Sequence, residues 1–153
     1  MKARLAMDIE IDYEMVFSTL GILSFFGWAA LIAAPVNARV MILGARAVGI
    51  LLAIAYVLLL GVGWGVEPEV SYGSLRGVMN GMTAPVHMMT SWTHFLAFDL
   101  LIGSWIVERA RTSEINHLLV IPCLGLTFLF GPTGLILFLA LEMVHGRRTA
   151  SIS

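Results

Sequence analysis

The sequence predicts an all-α protein: an integral membrane four-helix bundle whose fourth helix is kinked or broken. Three observations predict it. The 153 residues are 59% hydrophobic and 12% charged, with a mean hydropathy of +0.91. A soluble domain of this length needs more charge to cover its surface. The apolar residues gather into four runs, each near or above the roughly 20 residues that cross a bilayer. The runs are continuous rather than alternating, which excludes a membrane barrel and leaves helices to satisfy the backbone in lipid. A single transmembrane domain, 1–153, accounts for the length.

The first span is expected at 15–34, closed by the turn signal Pro35-Val36-Asn37. The segment before it carries Asp8, Glu10, Asp12 and Glu14. Such an acidic flank is unlike a secretory signal or a transit peptide, so the first helix is expected to stay as an anchor. The second span, 41–66, has Arg46 just inside its start and ends in Gly61, Gly63 and Gly65 before Glu67-Pro68-Glu69. A polar loop covers 67–81. The third span, 83–107, opens with Pro85 in a first-turn position. The fourth, 114–144, would be roughly 45 Å long as one helix, more than a bilayer core requires. Pro122 and Gly131-Pro132-Thr133-Gly134 mark where it is expected to bend or break.

Four spans put both termini on one side, here side A, with the turns after the first and third spans on side B. Side A then holds Lys2, Arg4, Arg76, Arg147 and Arg148, and side B holds Arg39, Arg46, Arg109 and Arg111. The balance is nearly even. Arg147-Arg148, directly after a span, tips side A toward the cytoplasm. A net charge of −1 gives no reason to expect nucleic acid. Gly27, Gly44, Gly61, Gly63 and Gly65 would allow close helix packing, within the chain or in a homo-oligomer.

Ionisable groups in hydrocarbon are costly and mark candidate sites. The third span carries His87, Thr90, Ser91 and His94 on one stripe, with Asp99 about 140° from His94 around the helix. Arg46 enters the second span from side B at a depth from which it could pair with Asp99. Glu142 and His87 would lie at similar depth on side A and form a second candidate pair. The functional reading is a polar site of His94, Asp99 and Arg46, and the plain alternative is helix–helix glue. Trp92 and Trp28 sit deep enough to line a cavity. His87 and His94 share one helix and His117 lies at another depth, so the spacing does not favour haem or another metal centre. Met79, Met82, Met88 and Met89 read as adaptable packing rather than a copper site. P-loop, GxSxG, HExxH and CxxC patterns are absent. A ligand would enter from the bilayer, which favours a lipophilic one.

The run from Ser91 to Ile106 contains Trp92-x-His94-x-x-x-x-Asp99-Leu100. It resembles the hallmark W-x-H-x-x-x-x-D-L segment of the abscisic-acid-deficient-four-like family. Three further segments agree in order: Ala34-Pro35, Tyr56 to Trp64 with Pro68-Glu69, and His117 to Cys123 through Gly131-Pro132-Thr133-Gly134. The resemblance spans about 15–138. It implies carotenoid biology: plant members are plastid membrane proteins needed to make neoxanthin from violaxanthin, an epoxide-to-allene isomerisation. Carotenoid protection has been suggested for some bacterial members. The missing transit peptide resembles a prokaryotic member, and the expected location is a multi-pass position in an inner or photosynthetic membrane. Trp92, His94 and Asp99 carry over as motif positions.

Epoxide opening needs a proton donor at oxygen, and allene formation needs a base at a neighbouring carbon. His94 and Asp99 are therefore the expected catalytic pair. Trp92, Phe95, Phe98, Trp28 and His87 are the expected ligand-binding residues, and Arg46–Asp99 the expected structural pair. No cofactor is expected beyond a bound carotenoid. Three functions remain open: a carotenoid isomerase, a non-enzymatic carotenoid- or retinal-binding protective protein, and a structural subunit of a larger membrane complex.

Overall fold

The computed structural model describes residues 11–150, with side chains through Gly146. The charges counted at Lys2 and Arg4, the acids Asp8 and Glu10, and the side chains of Arg147 and Arg148 lie outside the described residues. The chain is all-α. The described helices are α1 (Tyr13–Ile32), α2 (Ala38–Gly63), α3 (Leu75–Gly81), α4 (Pro85–Thr112), α5 (His117–Phe130) and α6 (Pro132–Ala150).

Their boundaries follow local chemistry. Asp12 caps α1 by accepting from the Met15 amide, and Asn37 caps α2 by accepting from the Val40 amide. Pro85 opens α4, where a missing N–H costs nothing. Asn116 accepts from the Leu118 amide at the start of α5. Helices α1 and α2 are long and apolar enough to cross a membrane. Helix α4 has 28 residues but carries the polar groups.

Helices α1 and α4 run in the same direction. Phe17 packs at a tilt against Trp92 with ring centroids 5.5 Å apart, and the Trp28 indole covers Gly103 eleven residues on along both helices. Helix α2 runs oppositely: Arg46 meets Glu108, Tyr56 meets His94 and Gly63 meets His87. Side A is thus the end with Tyr13 and His87, and side B the end with Ile32, Arg46 and Arg109. The core between these helices and α5 holds Leu31, Leu52, Ala97, Leu100, Ile106 and Leu124. Outside, Phe25, Phe26, Ile50, Val57, Leu58 and Leu129 are each more than half exposed.

The expected fourth span is two helices that reverse direction. Helix α5 continues through Pro122 and ends at Gly131, whose φ of 45° and ψ of −98° suit glycine. Helix α6 then folds back along α5. Gly134 lies against the α5 backbone so closely that a Cβ would collide with the Cys123 carbonyl and with the amide and hydroxyl of Thr127. In one continuous helix, residues 123 and 134 would be about 16 Å apart. Farther along, Arg109 Nε and Ser113 Oγ donate to Glu142 Oε1 at 2.6 and 2.7 Å.

Of the bend or break expected at Pro122 or Gly131-Pro132, the structure has the break, at Gly131-Pro132. One expected pairing is corrected by this hairpin. Glu142 pairs with Arg109 and Ser113 rather than His87, because α6 returns to side B. Within the bundle, α1 starts at the end that holds His87 and α6 runs toward the end that holds Arg109. Among the glycines, Gly27 and Gly63 meet other helices, whereas Gly44, Gly61 and Gly65 face open space.

Candidate functional site

Helix α4 presents its polar groups in two directions. Toward α2, His87, Thr90, Ser91 and His94 line a cleft of about 330 Å³ with Tyr56 and Tyr72. The His94 ring stacks on Phe98, with centroids 4.5 Å apart and planes 24° apart, and lies 5.5 Å from the Tyr56 ring. His87 Nε2 pairs with the Val66 carbonyl at 3.1 Å, which ties α4 to the loop after α2. Thr90 donates to the Val86 carbonyl and Ser91 to the Met82 sulfur. Much of this stripe is thus already engaged within the fold.

Toward α1 and the hairpin, Asp99 lies in a separate cleft of about 310 Å³. Trp28, Trp92, Phe95, Phe128 and Gly131 line it with Asp99. The α5–α6 turn passes directly over the carboxylate: a Cβ built on Gly131 would lie 2.9 Å from Asp99 Oδ1. Trp28 is 5% exposed and meets Phe128 edge-on at 5.5 Å. Phe95, 58% exposed, belongs to both clefts. Trp28 and Phe128 also line a smaller apolar cleft that extends toward Ile32 and Leu124. The Asp99 cleft therefore combines one carboxyl with a long aromatic and aliphatic wall.

The expected site residues divide accordingly. Trp28, Trp92, Phe95 and Asp99 come together. His94 and His87 line the other cleft, and Phe98 stacks under His94 without lining either. His94 and Asp99 do not share a cleft, as their separation around a straight helix requires. Sequence reasoning missed Phe128 and Gly131, which reach the site only through the hairpin, and Tyr56, which faces His94 from α2.

The Arg46–Asp99 pair does not form. Arg46 Nη2 and Nη1 donate to the two carboxylate oxygens of Glu108 at 2.6 and 3.3 Å, and Nε donates to Ser104 Oγ at 3.3 Å. Ser104 and Glu108 are four residues apart and share a face of α4, whereas Asp99 is about 180° around the helix from Glu108. Hydrogen bonds from Arg46, and then its positive charge, hold the Glu108 carboxyl below the usual glutamate range.

Residues 15–138 match the model of a family described as ABA4-like, or ABA DEFICIENT 4-like. No curated protein and no solved structure matches the chain.

Proposed function

Because the chain belongs to the ABA4-like family, which links it to carotenoid and neoxanthin-related function, we propose that it is a multi-pass membrane protein that holds a carotenoid against Asp99 and isomerises it. The observation that carries this reading is the Asp99 carboxyl set in a cleft of tryptophan and phenylalanine rings at the surface of the bundle. A conjugated hydrocarbon matches that wall, and an oxygenated end group matches the carboxyl.

The lengths and directions of the helices support one membrane arrangement. Helices α1, α2 and α4 cross fully, and α5 and α6 form a re-entrant pair entering from side B. At 14 residues, α5 is about 21 Å long and stops short of a bilayer core of about 30 Å. Its tip brings Gly131 to Asp99 near mid-depth. The hairpin moves Arg147 and Arg148 to side B by sequence position, beside Arg39, Arg46, Arg109 and Arg111. Side A keeps Lys2, Arg4 and Arg76. Side B is therefore cytoplasmic by the positive-inside rule, the reverse of the assignment from four full spans.

Isomerisation of an epoxide to an allenic alcohol is redox-neutral, so one carboxyl can perform it. The Asp99 carboxylate removes a proton from carbon beside the epoxide. That C–H electron pair becomes the new π bond, the C–O bond breaks toward oxygen, and the same proton passes from Asp99 to that oxygen. His94, in the other cleft, is not needed for this cycle. Binding without turnover is the second reading, favoured because no second acid–base side chain lines the Asp99 cleft among the described residues.

Both readings are tested by purifying the chain from a carotenoid-making host. Retained pigment is expected by visible absorption, and an isomerised product by chromatography. Asp99→Asn should keep pigment while conversion falls by about 100-fold or more. Pigment without product supports binding alone. A colourless protein with unchanged host pigments would sink both.

A further inference from the structure

The side B end of the bundle carries a charge arrangement the carotenoid reading does not use. Arg39, Ile42, Leu43 and Arg46 form one stripe of α2, and Glu108 and Arg111 face them from the last turns of α4. Together they line a cleft of about 420 Å³. Its centre is neutral: Arg46 and Glu108 pair at 2.6 Å with side chains 33% and 49% exposed. Ser104 holds the third contact of Arg46, so this guanidinium bridges the two helices while staying partly exposed. Arg39 and Arg111 flank the pair and leave two positive charges in excess. Neither makes a direct ion pair among the described residues, although Arg111 is near enough to Glu108 to add to the pull of Arg46 on its proton. Leu43, 54% exposed, continues the cleft as an apolar wall along the outside of α2.

We propose that this cleft is a binding site for the phosphate group of an anionic membrane lipid, with Arg39 and Arg111 as the cationic arms and Leu43 against an acyl chain. A site for free phosphate would need only the charges. The contiguous apolar wall and the position between two helix ends favour a phosphate that carries a hydrocarbon chain. The neutral Arg46–Glu108 pair beneath serves as a rigid floor that sets the spacing of the two arms. The proposal rests on the reading of side B as the cytoplasmic membrane face, where anionic lipid is concentrated.

The test uses the full chain in an uncharged detergent, with bound lipid counted by native mass spectrometry. The probes are phosphatidylglycerol, phosphatidylcholine and inorganic phosphate. Phosphatidylglycerol should bind at least about tenfold more tightly than phosphatidylcholine, and Arg39→Gln with Arg111→Gln should remove that preference. Arg39→Lys with Arg111→Lys, which keeps the charge, should retain most of it. This pair of variants separates loss of the site from loss of the fold. Arg76→Gln, on side A, should change nothing. Equal lipid retention by the wild type and the double Gln variant overturns the proposal. So does complete displacement of the lipid by inorganic phosphate at equal concentration, which would assign the cleft to a free anion. Carbonate washing of host membranes checks the membrane reading separately. Chain released by the wash would refute that reading whatever the lipid result.

Discussion

Replacing Gly131 by alanine tests the link between the hairpin and the acid. The first cost is backbone. A φ of 45° with ψ of −98° lies outside the regions open to alanine, and holding it there costs about 1–3 kcal/mol. The second cost is contact. The new Cβ would sit 2.9 Å from Asp99 Oδ1 and 3.5 Å from its Cγ, so the carboxylate must rotate away from its preferred position, at about 1 kcal/mol. Together they predict a loss of about 3 kcal/mol and a melting temperature lower by roughly 10 °C for a chain of this size. Tryptophan fluorescence of detergent-purified protein reads the transition. The same substitution made in an Asp99→Ala background keeps the backbone cost but loses the contact, so its penalty should shrink by about 1 kcal/mol. Identical penalties in the two backgrounds would show that Gly131 does not press on Asp99. No penalty in either would refute the turn itself.

Two further outcomes follow from the side B end. Glu108 lies just past the third apolar run, and Arg46 lowers its pKa. Its stabilisation is therefore whole above the ordinary glutamate range and is lost as pH falls through the lower folded value. The effect is small because the pair is exposed to solvent, and salt weakens it. Between about pH 6 and about pH 3 the wild type should lose more thermal stability than Glu108→Gln, and equal losses would contradict the pairing. For topology, with Cys123 changed to Ser, an impermeant maleimide added to intact cells should label Ser74→Cys and spare Thr112→Cys. A tag fused after Ser153 should be protected like Thr112, and an exposed tag would restore a full fourth span.

Helices α1, α2 and α4 were legible because their signals are local. An apolar run gives length, and Asn37 and Pro85 give the starts. The hairpin was not legible from hydropathy, since an apolar run reads the same whether the chain continues or reverses. Its signal is the Gly131-Pro132 pair, one residue suited to a positive φ and the next suited to begin a helix. The reversal carries Glu142 to Arg109 and brings Phe128 and Gly131 to Asp99, placements that a continuous helix does not predict. Arg46 stands at the expected end of the bundle but meets Glu108 rather than Asp99, because direction around α4 decides between acids that depth alone would allow. Ser104 and Glu108 faced it all along, and Asp99 faced away. His94 and Asp99 do stand on different faces of α4, as their spacing of five residues predicts.

The central claim, that Asp99 rather than His94 carries the chemistry, is tested most directly by measuring product formed per bound pigment for Asp99→Asn and His94→Gln side by side. The account predicts conversion abolished by the first substitution and kept within about threefold by the second, with pigment retained in both. Full conversion by Asp99→Asn, or its loss in His94→Gln with pigment still bound, would contradict it.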